Sequence, residues 1–518
     1  MNAKILWADD EIELLKPHIM FLEQKGYEVV TVNSGVDAVD EVQNQAFDVI
    51  FLDENMPGMS GLEALAEIKQ ARPETPVVMI TKSEEESIMD EAIGSKISDY
   101  LIKPVNPNQI LLSLKKQLDN KRLVNEKTSS TYQQEFRQLG MRLNDRLSHE
   151  EWTDLYKQLV YWDLELERTD DKAMKEIFEM QLSEANAQFS RFVGEEYPHW
   201  LNDSSDDSPV LSHTLLTHKL RPMLEQHHSE PVFLVVIDNL RYDQWLSIKP
   251  IINQYFRVDE EDMYYSILPT ATQYARNALF AGLLPSEIEK KYPKLWKNDE
   301  DEGGKNLHEN EFLQGLLKRW GLNIKSNYTK ITQYNAGKKY VDQIHNLFDN
   351  KLNVLVYNFV DMLSHARTEM EVLRELADDE SAYRSLTVSW FEHSPLHEAI
   401  KAIAEKGCKM LLTTDHGTVC VKEPSKVIGY RNTNSNLRYK QGKNLDYKEA
   451  DVFEVKKPDE VFLPRQHVST SFIFANGYKF FVYPNNYNHF VKYYKGTFQH
   501  GGISLEEMLI PAITLSVK

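Results

Sequence analysis

The chain has 518 residues, 42% of them hydrophobic, and a formal net charge of −20. That is enough apolar material for about two to four globular domains, and the wrong sign for general duplex-DNA binding, which needs a basic surface. Two cysteines, Cys408 and Cys420, give no disulfide framework and fit a reducing, cytoplasmic setting. The acidic opening Met1–Glu11 does not read as a signal peptide. No apolar run approaches the roughly 20 residues that cross a bilayer, so no membrane insertion is expected.

Five short apolar runs open the chain: Lys4–Ala8, Val29–Val32, Val49–Leu52, Val77–Ile80 and Tyr100–Ile102. Amphipathic helical stretches separate them, which predicts a parallel sheet with helices on both faces over residues 1–118. Sites in such sheets form at the carboxyl ends of the strands. There stand Asp9 and Asp10 after the first run, Asp53 after the third, Thr81 after the fourth and Lys103 after the fifth. Three converging carboxylates call for a hard divalent cation, and Mg²⁺ suits oxygen ligands and phosphoryl groups. Lys103 and Thr81 can then bind phosphoryl oxygens.

Residues 119–208 are expected to form a helical bundle or linker. Leu155, Leu159, Trp162 and Leu166 recur at helical spacing, as do Phe178, Leu182, Ala185 and Phe189. The run Asn202–Pro209 is a loop by composition. A large α/β domain is expected over 209–518. Three of its apolar strands end in aspartate: Val232–Ile237 at Asp238, Asn353–Val360 at Asp361, and Lys409–Thr414 at Asp415. One such aspartate is ordinarily a helix N-cap. Three at equivalent strand ends suggest a shared metal site, because carboxylates beside apolar strands are costly unless paired or ligated.

Histidines strengthen that reading. His365 follows Asp361 by one helical turn, His416 follows Asp415, and His500 precedes Gly501-Gly502. Carboxylate with imidazole suits zinc or manganese better than calcium. In Leu268–Gly282 a turn becomes a helix, with Thr272 near its start, where the dipole favours an anion. Thr270 or Thr272 could equally be the helix cap. Finally, Lys426–Lys448 interleaves Lys426, Arg431, Arg438, Lys440, Lys443 and Lys448 with Tyr430, Tyr439 and Tyr447. It reads either as a solvated loop or as a surface for a short or cyclic oligonucleotide, with cations on phosphates and bases on rings.

Two resemblances gather these residues. Asp53-Glu-Asn-Met-Pro-Gly-Met-Ser-Gly61, with Asp9, Asp10, Thr81 and Lys103, resembles the response-regulator receiver family. That resemblance implies a flavodoxin-like sheet and a phosphoacceptor at Asp53 served by a sensor histidine kinase. It also implies Mg²⁺ held by Asp10, Asp53 and the backbone carbonyl of Asn55 with Asp9 assisting, and Tyr100 as the aromatic switch. Asp238, Pro269-Thr-Ala-Thr272, Asp361 with His365, Asp415-His416-Gly417 and His500-Gly501-Gly502 resemble the alkaline phosphatase superfamily. Asp238-Asn-Leu-Arg-Tyr242 and Thr272–Arg276 resemble its PglZ branch.

The second resemblance implies two Zn²⁺ ions, one on Asp238, Thr272, Asp415 and His416, the other on Asp361, His365 and His500. It also implies Thr272 as nucleophile, with Arg276, and Arg241 in reserve, as holders of a phosphoryl oxygen. Neither cysteine lies in the Cys/Ser-x-Pro-x-Arg context of sulfatases. Phosphoglycerate mutases of similar fold use serine. No helix-turn-helix is apparent.

The whole arrangement resembles the PorX-type response regulators. Such regulators imply a phosphodiesterase output regulating type IX secretion and a phosphorylation-promoted homodimer. An extracytoplasmic-function sigma factor and a type IX secretion membrane component are the implied partners. The alternative is a zinc-stabilised scaffold that binds those partners without catalysis.

Overall fold

A computed structural model describes residues 3–82, 97–169, 171–202, 208–226, 230–363, 379–429, 433–465 and 467–518, with the side chains of 119–130 left aside. The chain divides into two compact units, Met1–Gln133 and Gln134–Lys518.

The first unit is one parallel sheet of β1 (Lys4–Ala8), β2 (Glu28–Val32), β3 (Val49–Asp53), β4 (Val77–Thr81) and β5 (Asp99–Ile102), in the order β2-β1-β3-β4-β5. β3 and β4 are buried at every position, as strands covered on both faces must be. On one face Leu6, Ile50, Leu52 and Met79 pack with Val39 and Leu65 of helices Gly35–Asn44 and Gly61–Ala71. On the other, Trp7, Phe51 and Ile80 meet Leu22 of helix Lys16–Gln24 and Ile110 and Leu114 of helix Pro107–Leu143. The expected strands appear within a residue at each end. The segment Ser87–Ala92 lies outside the described residues.

In the second unit β6 (Val232–Ile237), β7 (Phe256–Tyr265), β8 (Ser326–Ile331), β9 (Leu352–Tyr357) and β10 (Lys409–Thr413) belong to the main sheet. After them come β11 (Val419–Cys420), β12 (Glu423–Ile428), β13 (Tyr439–Lys443), β14 (Asp446–Tyr447), β15 (Val452–Val455), β16 (Thr470–Ala475), β17 (Lys479–Val482) and β18 (Phe498–Gln499). The last strand, β19 (Leu509–Val517), returns to the main sheet, whose order is β7-β19-β10-β6-β9-β8. β10, β6, β9 and β8 run parallel, and β19 is antiparallel to both β10 and β7. The others form small sheets: β11-β18, β14-β12-β17 and β13-β16-β15.

The middle helices His149–Glu167 and Lys172–Asn202 are part of this second unit. Ser148 starts the first with a reciprocal capping box to Glu151. Leu155, Leu159, Trp162, Leu166, Phe178, Ala185 and Phe189 are buried, as their spacing predicts. The helices also support the domain they pack on. The buried Tyr197 hydroxyl accepts a hydrogen bond of 2.8 Å from the Leu268 N–H, at the entrance to the Pro-Thr-Ala-Thr turn. Asn186 donates to Glu506 and to the Tyr478 hydroxyl. Among the described residues no helix is long and apolar enough to cross a membrane.

Candidate functional site

Adjacent parallel strands deliver the first cluster. β1 and β3 pair directly, so Asp9 and Asp53 leave the sheet side by side. Asp9 is wholly buried and Asp53 nearly so, while Asp10 is exposed. Carboxylate oxygens of the three lie within 4.8 Å of one another. Lys103 Nζ bridges two of them, 2.9 Å from Asp9 and 2.9 Å from Asp53. Burial pushes the Asp53 carboxyl up to about 6, against the pull of Lys103 and with a further push from Asp9.

The loop after Asp53 is shaped around it. A Cβ on Gly61 would lie 2.2 Å from the Asp53 carbonyl oxygen, so only glycine fits there. Ser60 and Glu63 form a capping box that starts the next helix. Thr81 ends β4 and donates its hydroxyl to Glu54, a residue the sequence reading passed over although it directly follows Asp53. Asn55 is exposed, as its expected role through a backbone carbonyl permits, and Tyr100 is 42% exposed.

The second cluster rests on β6 and β10, also parallel neighbours. Asp238 follows β6, and Asp415 and His416 follow β10 by way of Thr414. All three are fully buried, and ligand atoms of the three lie within 4.8 Å of one another. Thr272 is the first residue of helix Thr272–Ala281, and its Oγ1 lies 3.0 Å from His416 Nε2. Neither threonine caps that helix, since the N-cap is Ala271, without a side-chain hydrogen bond. Thr270 instead ties the helix start to the glycine turn. It donates to the Gly502 carbonyl at 2.8 Å and accepts from the Gly501 N–H at 3.0 Å.

His500 enters through that turn. Its ring stacks on His416 at a centroid distance of 4.3 Å, and its Nε2 lies 3.7 Å from Asp361 Oδ1. Asp361 is not at a strand end as expected. β9 stops at Tyr357, and Asp361 lies in the helical segment 359–363. His365 lies outside the described residues.

Both imidazoles are held in one tautomer. His416 Nδ1 faces the Gly417 carbonyl at 3.0 Å, and His500 Nδ1 faces the Thr270 carbonyl at 3.1 Å. A carbonyl only accepts, so each Nδ1 carries the proton and each Nε2 keeps its lone pair. Asp238 Oδ1 and Asp415 Oδ2 are buried without hydrogen-bond partners. Buried carboxylate oxygens in that state are costly unless a cation meets them. These donors therefore fit a borderline metal such as Zn²⁺ on Asp238, Thr272, Asp415 and His416.

Arg276 departs from its expected role. Its buried guanidinium lies 2.6 Å from Asp238 and 2.5 Å from Glu309, with Asp415 at 3.7 Å. Its guanidinium already neutralises carboxylates, and a phosphoryl oxygen would have to compete with them for it. Burial opposes ionisation of Asp238, but the Arg276 guanidinium holds its carboxyl below the usual range. Asp415 is driven up by burial and by the neighbouring Asp238 charge. Glu309, the anchor of Arg276, has no sequence signal beyond its place in the first turn of helix Glu309–Arg319.

Arg241 is likewise spoken for. It pairs with Asp243 and with Glu380 at 2.7 Å, close to the stacked rings of Tyr383 and Phe498. The basic segment is corrected in part, since Lys426 and Lys448 are exposed. Arg438, Tyr439 and Lys440 are buried, with Arg438 paired to Glu507 at 2.6 Å and Tyr439 donating to Asp299. They pack β13 and cannot follow a nucleic-acid strand. Tyr430 and Arg431 lie outside the described residues. Cys408 is buried and Cys420 partly so.

Comparison with known proteins divides the chain three ways. Residues 5–115 match the response regulator receiver domain, 122–201 the PorX response regulator linker domain, and 215–515 the BREX system PglZ alkaline phosphatase-like domain. Among curated proteins, the alginate biosynthesis transcriptional regulatory protein AlgB of Pseudomonas syringae is 37% identical over 122 residues, 24% of this chain and 27% of that protein. The transcriptional regulatory protein ZraR of Escherichia coli is 32% identical over 139 residues, 27% of this chain and 32% of that one. The chain thus spans about a third or less of the length of these relatives. A receiver domain from Clostridium thermocellum is 30% identical, over 23% of this chain and 98% of that one, with a TM-score of 0.23. Receiver, PorX linker and PglZ phosphatase-like domain follow one another along a single polypeptide, and the chain belongs to the PorX-type response regulators of the PglZ family.

Proposed function

We propose that the PglZ domain is a zinc-dependent phosphodiesterase and that phosphorylation of Asp53 by a sensor histidine kinase controls it. The carrying observation is the Thr272 hydroxyl 3.0 Å from His416 Nε2, beside the buried oxygens of Asp238 and Asp415. When bound, Zn²⁺ on Asp238, Thr272, Asp415 and His416, with a second ion on Asp361, His365 and His500, supplies Lewis acidity that lowers the threonine pKa and offsets phosphoryl charge. Thr272 Oγ1 attacks phosphorus, the new O–P bond forms as the bond to one alcohol breaks, and water later displaces the threonine. The first turn of helix Thr272–Ala281 presents backbone N–H groups to the phosphoryl oxygens. Arg276 keeps Asp238 ionised, and the Gly417 carbonyl keeps His416 in the tautomer that directs Nε2 at Thr272.

A second reading, a scaffold without catalysis, has one observation in its favour: Arg276 already neutralises Asp238. In either reading the resemblance to PorX-type regulators supports a cytoplasmic role in type IX secretion, with an extracytoplasmic-function sigma factor and a secretion membrane component as partners. Receiver Mg²⁺ on Asp10, Asp53 and the Asn55 carbonyl, with Asp9 assisting, supports phosphoryl uptake.

Elemental analysis of protein purified without chelator, beside hydrolysis of bis(p-nitrophenyl) phosphate, tests the enzyme reading. About two zinc ions per chain are expected, with turnover lost in a Thr272→Ala protein that keeps its metal. Turnover unchanged in that variant removes Thr272 as nucleophile, and secretion intact in cells carrying it leaves the scaffold alone.

Phosphorylated Asp53 is expected to draw Thr81 from Glu54 and let Tyr100 turn inward, favouring a homodimer by about 1–3 kcal/mol. Sedimentation with beryllofluoride and Mg²⁺ measures it. A response in Asp53→Ala equal to the wild type would sink it.

A further inference from the structure

His500 stands on a soft piece of backbone. Gly501 and Gly502 follow it, and Gly501 holds a φ of +123°, a conformation open to glycine but bought with chain flexibility. A metal ligand has to stay within about 0.5 Å of its place. Groups outside the turn must therefore hold it.

Glu507 does so from behind. It is fully buried, as are Arg438 and Thr270. Its Oε1 accepts from the Gly502 N–H at 2.9 Å, and the Gly502 carbonyl accepts from the Thr270 hydroxyl at 2.8 Å. That hydroxyl accepts from the Gly501 N–H at 3.0 Å and lies 3.4 Å from Glu507 Oε1. The Thr270 carbonyl accepts from His500 Nδ1 at 3.1 Å. One chain of hydrogen bonds thus runs from Glu507 through Gly502 and Thr270 to His500. The main chain of Glu507 serves the other histidine, since its carbonyl accepts from the Gly417 N–H at 3.1 Å. There the backbones meet closely: a Cβ on Gly417 would lie 1.9 Å from the Glu506 carbonyl oxygen. The side chain therefore holds the turn of His500, and the main chain holds the turn of His416.

The carboxylate is itself fixed. Arg438 donates to Oε1 at 3.2 Å and to Oε2 at 2.6 Å, and the Ser504 hydroxyl donates to Oε2 at 2.7 Å. Arg438 also donates to the carbonyls of Lys479 and Ile503. A buried ion pair of this kind adds little stability over an apolar pair of similar volume. What it supplies is an acceptor that cannot move.

We infer that Glu507 is a positioning residue for the His500 metal site, its carboxylate acting through Gly502 and Thr270 to keep His500 Nε2 facing Asp361. The inference rests on the two-zinc reading of the PglZ domain.

The test uses full-length protein with two pairs of substitutions, each of which removes both buried charges. The first pair, Glu507→Met with Arg438→Met, also removes the acceptor. The second, Glu507→Gln with Arg438→Met, keeps an amide oxygen for the Gly502 N–H. Zinc is titrated against a chromogenic chelator, and a His500→Ala protein identifies the ion that His500 holds. The first pair is expected to weaken that ion at least about tenfold and the ion on Asp238, Asp415 and His416 less than about threefold, while the second pair stays within about threefold of the wild type for both. Both ions weakened equally by the first pair, equal losses in the two pairs, or wild-type affinity in both overturns the inference. Amide exchange of Gly501, whose own acceptor Thr270 is untouched, is read on the same proteins without metal. It is expected to be at least about tenfold faster in the first pair alone. If the wild type binds no zinc, the two-zinc reading has failed and exchange decides, with equal rates in the two pairs overturning the inference. If neither pair folds, Thr270→Val takes their place. Loosening of the His500 ion with the other spared supports the inference, and two ions unchanged or equally weakened overturn it.

Discussion

The receiver and the PglZ domain solve one electrostatic problem in two ways. Each gathers carboxylates at the carboxyl ends of neighbouring parallel strands, and each sets a basic side chain among them. In the receiver the cation is Lys103, a flexible ammonium bridging Asp9 and Asp53 beside an exposed Asp10. In the PglZ domain it is Arg276, wholly buried and fixed from behind by Glu309. A lysine so placed can leave one carboxylate for an arriving phosphoryl group. A clamped, always-charged guanidinium cannot. The first site is built to change its charge, and the second to keep it.

The sharpest way to break that comparison is to remove the two acceptors in turn. Asp53→Asn is expected to abolish phosphoryl labelling from a small-molecule donor while leaving diester turnover measurable. Thr272→Ala is expected to do the reverse, lowering turnover of bis(p-nitrophenyl) phosphate by about a thousandfold or more. Labelling and hydrolysis lost together in either variant would mean that the sites are not separable.

The cations come next. Arg276→Met leaves Asp238 buried without its cation and Glu309 with Lys330 and the Tyr328 hydroxyl alone, and is expected to cost about 3–5 kcal/mol in urea unfolding of the PglZ unit. Lys103→Met is expected to cost less, about 1 kcal/mol, partly restored by Mg²⁺, which can reach the cluster beside the exposed Asp10. Equal costs would erase the distinction.

The smallest effect tests whether burial alone sets such costs. Lys440 is buried on β13, Nζ bonded to the Asn434 carbonyl at 3.0 Å, and burial pulls its amine down to about 7. The folded pKa lies below the unfolded one, so stability from this group is full above the unfolded value near 10.5 and is lost as pH falls towards 7. Lys440→Met is therefore expected to raise stability by about 1 kcal/mol at pH 6, with the gain shrinking as pH approaches 10. A gain independent of pH would show that packing, not charge, is responsible.

The sequence made the two sheets and their aspartates readable for a physical reason. Runs such as Val232–Ile237 are apolar throughout because both faces are covered, and a lone acid at the end of such a run stands out. Burial of charge was not readable. Arg438 and Lys440 look like surface residues until Glu507, distant in the chain, is seen to neutralise the arginine. Glu309 and Tyr197 act only through residues far from them in sequence, and their letters carry no trace of it. Asp361 was read at a strand end because Phe359 and Val360 continue the apolar run, although the backbone has already turned helical there.

The place of β19 has a consequence for how the polypeptide reaches this state. Among the strands of the main sheet it comes last in the chain, yet it lies between β7 and β10 and is the strand that joins β7 to the rest. Until Leu509–Val517 is in place, β7 and β10 each carry an open edge of unpaired backbone groups. During synthesis those edges stand exposed while the greater part of the chain is already available to fold, so the nascent protein passes through a state prone to pairing with other chains. Final assembly then amounts to insertion of one strand into a waiting gap, and a chaperone or a partner able to cover that gap would govern the yield of the folded molecule.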